Sequence, residues 1–283
     1  MNDLLSHLQS LAPHPAVVVT LVVAVVGLVI YEPVSGRRSH ARFVAEEAVH
    51  GESARLRFYR SWTLQGCASA VAAILLVLAL PGVGLGDIGF RVPDVAGLDR
   101  FGITGGSTST ATLAGMLTGL LIAIVGVVVI GKLNARKAAG KPAKEPQGQM
   151  KAILPMLPRT SAGRRGWAML SLSAGVTEEI TYRGLILLTL AVALPDTTPR
   201  AALIVVAAVL FGVAHWYQGW TGILTTGFVG GVMAGLYLST GSLLIVMVLH
   251  TLIDLRALLI PVPAATTDEG THDDPAGRTP ATA

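Results

Sequence analysis

Long apolar runs recur along this chain and constrain its fold more than any other feature. Hydrophobic residues make up 52% of the 283 residues and charged residues only 13%, about half the charged share of a soluble domain. Seven runs are long enough, or nearly so, to cross the roughly 30 Å hydrocarbon core of a bilayer as helices. They lie near residues 16–31, 62–80, 110–130, 167–194, 201–216, 221–238 and 243–260.

The apolar runs predict transmembrane helices rather than strands. Inside lipid, backbone N–H and C=O groups must be paired within a helix or a closed barrel, and these runs lack the alternation of barrel strands. We therefore expect an all-α, polytopic transmembrane helical bundle of about seven spans. The count rises to eight if the chain makes a re-entrant turn near Trp167.

The basic residues between the runs predict the orientation of the chain. Lys and Arg number six between the first and second runs, two in the next loop, nine in the loop after that, and one or none between the later runs. Basic loops stay in the cytoplasm, so we expect a multi-pass cell-membrane protein with its N-terminus outside and its C-terminus cytoplasmic. The basic residues are not interleaved with aromatic ones, so membrane lipids, and not nucleic acid, are the expected partners.

Ionisable residues inside the apolar runs are confined to the C-terminal half of the chain. They are Glu178, Glu179 and Arg183 in the fourth run, His215 at the end of the fifth, and His250, Asp254 and Arg256 in the seventh. A charged side chain near the centre of a bilayer costs roughly 2.5–3.5 kcal/mol. These groups must therefore face a protein interior or a water-filled cavity, which places the function in this half.

Helical spacing distinguishes the two adjacent acids. Glu179 and Arg183 are four residues apart, so they share a helix face and can form an ion pair. Glu178 lies about 100° around the helix from Glu179, so we expect it to point elsewhere and to have no cation on its own helix. An intramembrane carboxylate in that position is a candidate general base. His250 and Asp254 also share a face.

Three motifs, each on a different apolar run, together resemble one protein family. The motifs are Glu178-Glu179-x-x-x-Arg183, Phe211-x-x-x-His215 and His250-x-x-x-Asp254. Their order and spacing are similar to those of the CAAX protease and bacteriocin-processing (CPBP) family, of the type II CAAX prenyl endopeptidase type. The resemblance covers about residues 166–261. It implies an intramembrane endopeptidase that cleaves peptide or membrane-protein substrates at the cytoplasmic side.

The resemblance also implies roles for the side chains. Glu178 and His215 would activate a water molecule, while His250 and the residue at position 254 would stabilise the oxyanion. Structural support of the site would come from Glu179, Arg183 and Phe211. Many family members have Asn where this chain has Asp254. An ionised Asp cannot donate a hydrogen bond, so Asp254 is also a candidate to orient His250.

The expected mechanism needs no cofactor, but zinc is an alternative. Glu178, His215 and His250 offer one carboxylate and two imidazoles, which is a known set of zinc ligands. The chain has no HExxH motif, and these three ligands come from three separate runs. The metal-free and the zinc-dependent mechanisms both stay open at this point.

The expected organisation has four parts. They are N-terminal helices and loops at residues 1–109, a third span with a basic cytoplasmic linker at 110–166, a catalytic core at 167–263 and a tail at 264–283. The tail is rich in Thr, Asp, Gly and Pro, which is typical of disorder.

Two other functions stay open from the sequence. A non-proteolytic membrane scaffold or bacteriocin-immunity-type protein would not need Glu178 as a base. A proton-coupled carrier would use the same acids and histidines as a relay, although no internal repeat of the transporter kind is evident.

Overall fold

Helices form the regular secondary structure of the part of the chain that the computed structural model describes, which is residues 4–11, 13–91 and 147–260. The all-α fold class is confirmed for these residues. The α-helices are α1 Leu4–Ser10, α2 Pro15–His50, α3 Glu52–Leu78, α4 Gln149–Ile153, α5 Ser161–Glu179, α6 Leu187–Ala193, α7 Arg200–Ala214, α8 Gly219–Thr240 and α9 Leu243–Leu255. The third apolar run, the first part of the basic linker and the tail lie outside the described residues.

Three helical segments in the described ranges are long and apolar enough to cross a membrane. They are α2, α3 and the segment Trp216–Thr240, which contains α8. Helix α7 is apolar but shorter. A membrane protein is therefore supported, whereas the count of seven or eight spans and the orientation of the termini stay predictions.

The fourth apolar run changes its helical type directly after the acidic pair. Helix α5 ends at Glu179, residues Ile180–Ile186 form a π-helical segment, and α6 follows directly at Leu187. All seven residues of the π-helical segment are buried. Such segments occur frequently at functional sites, and this one carries Tyr182 and Arg183 into the interior.

Close packing between α5 and α9 brings two of the motifs together. A Cβ atom on Gly175 would lie 2.7 Å from the backbone N of Thr251 and 3.0 Å from the carbonyl oxygen of Met247. Only a residue without a side chain permits this approach of the two helices. His250 of α9 consequently lies beside the acidic pair at the end of α5.

The remaining motif, Phe211-x-x-x-His215, is positioned by an equally close contact between α7 and α8. A Cβ atom on Gly212 would lie 2.5 Å from the carbonyl oxygen of Ile223 and 3.1 Å from the Cα of Gly227. Small residues at such crossings let helix backbones meet inside a membrane. This contact fixes the end of α7, immediately before His215.

A buried arginine fastens the junction of α2 and α3 to the segment that leads into α5. Arg55 is only 1% exposed. Its guanidinium forms ion pairs with Glu47 of α2 and Glu52 of α3, and its Nε donates to the carbonyl oxygen of Pro155 at 3.0 Å. One side chain thus joins three parts of the chain.

Replacing Arg55 with Met is expected to destabilise the protein by about 3 kcal/mol, because Glu47 and Glu52 lose their buried cation. Thermal unfolding of the purified protein in detergent measures the loss. Arg57→Met is the matched control, since the Arg57–Glu46 pair is exposed at the surface and such a pair contributes about 0–1 kcal/mol. Equal shifts in melting temperature for the two variants would contradict the prediction.

Candidate active site

The three motifs converge on one cavity of about 750 Å³. The cavity lies among α2, α3, α5, α7, α8 and α9, with α4 on one side. Its lining includes all seven side chains that the motifs identified, namely Glu178, Glu179, Arg183, Phe211, His215, His250 and Asp254. The structure therefore brings the predicted residues together, whereas their catalytic roles stay predictions.

Glu178 faces both histidines across the cavity. Its Oε2 lies 4.0 Å from Nε2 of His215 and 3.8 Å from Nε2 of His250, and both separations are too long for direct hydrogen bonds. Within the described ranges Oε2 has no hydrogen-bond partner. The carboxylate therefore offers an acceptor to a molecule that enters the cavity.

His250 is bonded to Glu179, a contact that the spacing within α9 did not predict. Nδ1 of His250 donates to Oε1 of Glu179 at 2.7 Å. Asp254 lies at the other nitrogen, 3.7 Å from Nε2, which is beyond hydrogen-bond range. The close approach of α5 to α9 gives Glu179 the orienting contact that the spacing within α9 had suggested for Asp254. Glu178 also faces this imidazole, with its Oε2 3.8 Å from Nε2 of His250, whereas Arg183 pairs with Glu179, as the spacing predicted.

His215 presents one nitrogen to Glu178. Its Nδ1 donates to the carbonyl oxygen of Phe211 at 2.9 Å. A carbonyl oxygen can only accept, so Nδ1 carries the hydrogen. In the neutral ring Nε2 is then an acceptor, and it is the nitrogen that faces Glu178. The main chain at the end of α7 thus sets the tautomer of His215.

Arg183 supports the site through three contacts. Its Nη1 donates to Oε1 of Glu179 at 3.0 Å and its Nη2 donates to the carbonyl oxygen of Gly230 at 2.9 Å. The guanidinium also lies 4.7 Å from the centre of the Phe211 ring. The ion pair predicted between Glu179 and Arg183 is present, and both side chains are almost fully buried.

A comparison with known families finds a match over the residues that form this site. Residues 164–256 match the family model described as type II CAAX prenyl endopeptidase Rce1-like. Residues 164–256 make up about a third of the chain, and over these residues the chain is similar to the CAAX protease family. This confirms the resemblance seen in the motifs, and the family implies a protease acting on peptide or protein substrates at a membrane. No curated protein and no solved structure matches the chain.

One acidic residue of the cavity lies outside the part that matches the CAAX protease family. Glu32 of α2 lines the cavity and accepts a hydrogen bond from the hydroxyl of Tyr182. Glu32 could not be recognised from its position in the sequence, because it follows the first apolar run directly and resembles the start of a solvated stretch. Its contact with Tyr182 depends on how α2 packs against residues 164–256.

The zinc alternative finds little support in the arrangement of the ligands. No group of three or more His, Cys, Asp or Glu side chains has the spacing to hold a metal ion in residues 4–11, 13–91 and 147–260. Nδ1 of His250 bonds to Glu179 and Nδ1 of His215 bonds to the main chain, which leaves only the two Nε2 atoms for a metal. The arrangement of Glu178, His215 and His250 therefore does not favour zinc, which stays an alternative to the metal-free mechanism.

Proposed function

We propose that this protein is an intramembrane endopeptidase in which Glu178 activates a water molecule. The observation that supports it most is the separation of 4.0 Å between Oε2 of Glu178 and Nε2 of His215. A water molecule at about 2.8 Å from both atoms spans such a separation. Both atoms are free to bind it, because Nδ1–H of His215 is already bonded to the main chain.

The proposed reaction begins at the carbonyl carbon of the peptide bond that is cleaved. The oxygen of the water attacks this carbon while Glu178 takes one proton from the water, and Nε2 of His215 accepts a hydrogen bond from the other. A new C–O bond forms, and the carbonyl electron pair moves onto the oxygen. When the tetrahedral intermediate collapses, the C–N bond breaks and Glu178 returns the proton to the leaving amine.

His250 is the proposed donor to the oxyanion. Its Nδ1–H is bonded to Glu179, so Nε2 carries a hydrogen only when the ring is cationic. The carboxylates of Glu178 and Asp254 lie 3.8 Å and 3.7 Å from Nε2, and they favour that form. In this scheme Asp254 acts on the charge of His250 and does not itself donate to the oxyanion, which explains how Asp functions where relatives have Asn.

Cleavage at the cytoplasmic side is part of the proposal. The two most basic loops flank the second and third apolar runs, which places residues 32–61 and 131–166 in the cytoplasm. Residues 149–156 border the cavity through Gln149, Met150, Ile153 and Met156. A cytoplasmic position of this segment puts the entrance of the cavity on the same side.

Cleavage of a broad peptide library by the purified protein in detergent tests the proposal. Wild-type protein, wild-type protein with a strong zinc chelator, and Glu178→Gln purified in the same way are compared by mass spectrometry of the products. We expect cleavage that survives the chelator and disappears in Glu178→Gln. Loss of cleavage with the chelator would assign the chemistry to zinc, and no cleavage by wild type would favour a non-proteolytic scaffold.

A further inference from the structure

Glu32 connects α2 to the site through a single hydrogen bond. The hydroxyl of Tyr182 donates to Oε2 of Glu32, and Tyr182 is only 3% exposed. Glu32 also lines the cavity and interacts electrostatically with Glu178. A buried tyrosine hydroxyl needs a partner, and in this protein the partner comes from a helix outside the family match.

The ring of Tyr182 packs directly against the ring of Phe211. The two rings meet edge to face, with centroids 4.9 Å apart and an interplanar angle of 87°. On its other sides the Phe211 ring is bounded by the guanidinium of Arg183 at 4.7 Å and by Gly230, where a Cβ atom would lie 2.7 Å from the ring. With so little free space, a shift of Tyr182 displaces Phe211.

Phe211 in turn positions both histidines. Its carbonyl oxygen accepts the hydrogen bond from Nδ1 of His215, and its ring centre lies 4.7 Å from the ring of His215 and 5.9 Å from that of His250. A continuous set of contacts therefore leads from Glu32 through Tyr182 and Phe211 to His215.

We propose that Glu32 is a positioning residue of this site, which holds His215 in place for Glu178 through the Tyr182 hydroxyl and the Phe211 ring. The proposal rests on the proposed endopeptidase function for its kinetic consequence. Its structural consequence, the placement of the His215 ring, does not depend on any substrate. The N-terminal helices are then part of the working site and more than a membrane anchor.

Four variants distinguish the effect of the hydrogen bond between Tyr182 and Glu32 from the effect of the negative charge of Glu32. Glu32→Ala removes the acceptor, and Tyr182→Phe removes the donor while it keeps the ring. Glu32→Gln keeps an amide oxygen that can accept from Tyr182. Glu46→Ala is the control, because Glu46 is an acid on the same helix whose carboxylate pairs with Arg57 at the surface.

The kinetic readout is the rate of peptide cleavage. We expect Glu32→Ala and Tyr182→Phe each to lower kcat about tenfold to a hundredfold, with KM within about threefold of wild type. A variant that combines Glu32→Ala with Tyr182→Phe should be no slower than the slower of the two single variants, because each substitution removes the same hydrogen bond. Glu32→Gln and Glu46→Ala should keep most of the wild-type kcat.

The second readout is the ¹⁵N NMR spectrum of histidine-labelled protein, with the His215 signals assigned from a His215→Asn sample. We expect the His215 ring signals to move in Glu32→Ala and in Tyr182→Phe, and to stay in place in Glu46→Ala. If the wild type cleaves no peptide, the proposed function fails while this readout still decides the role of Glu32. Unchanged His215 signals in Glu32→Ala, or a Glu32→Gln variant as impaired as Glu32→Ala, would overturn the proposal.

Discussion

Glu178→Gln is expected to lower kcat for peptide cleavage by about 10²–10⁴-fold, which is the usual contribution of a general base. The amide has nearly the shape of the carboxylate but cannot take a proton from water. Initial rates with any peptide cleaved by the wild type measure the effect. Glu46→Gln, a surface acid paired with Arg57, is the matched control and should leave the rate unchanged.

The same substitution should leave the protein at least as stable as the wild type. Oε2 of Glu178 has no hydrogen-bond partner in the described part of the chain, so no hydrogen bond of that atom is lost. The carboxylates of Glu178, Glu179 and Asp254 lie around the same imidazole of His250. Removing the negative charge of Glu178 therefore reduces the repulsion among these carboxylates. If Glu178→Gln has an equal or higher melting temperature and has lost cleavage, Glu178 serves catalysis and does not stabilise the fold.

Retention of more than a tenth of the wild-type rate in Glu178→Gln would contradict the role of Glu178 as base. A lower melting temperature would mean that Glu178 stabilises the fold, and the loss of rate would then no longer identify it as the base. The two measurements together distinguish chemistry from structural support, which the rate alone does not.

The ion pair that the sequence predicted depends on a single helical rod. Glu179 and Arg183 are four residues apart, and their ion pair follows from helical geometry even where the helix is of the π type. The sequence also predicted that Glu178, His215 and His250 face a protein interior or a water-filled cavity, because charge inside an apolar run is costly, and all three line one cavity.

The part that the sequence did not predict depends on contacts between helices. The spacing within α9 suggested Asp254 as the partner of His250, whereas the bond goes to Glu179 because Gly175 lets α5 approach α9. Glu32 was missed for a similar reason. Its partner Tyr182 is 150 residues away in the chain, and a spacing rule within one helix cannot reveal that contact.

Arg183→Met is expected to destabilise the protein by about 3–5 kcal/mol, the usual cost of removing one partner of a buried ion pair. The substitution takes the guanidinium of Arg183 away from the carboxylate of Glu179, which is 0% exposed. It also leaves the carbonyl oxygen of Gly230 without its donor. Thermal unfolding in detergent measures the loss, and Arg57→Met at the surface serves as the control.

A double variant separates the stability of this ion pair from its role at the site. Glu179→Gln combined with Arg183→Met removes both charges, so it should recover a large share of the lost stability, because replacing a complete buried ion pair costs far less than breaking one. A double variant no more stable than Arg183→Met alone would contradict this account of the pair.

Activity should not follow stability in that double variant. Nδ1 of His250 would lose the carboxylate that orients it, and the positive charge proposed for the oxyanion step would lose its closest counter-charge. We expect kcat to stay about 10²–10³-fold below wild type, the usual cost of losing a donor to an oxyanion. Recovery of cleavage together with stability would show that Glu179 and Arg183 only hold the helices together. Recovered stability without cleavage would place Glu179 in the working site, as the partner that keeps His250 directed at the substrate.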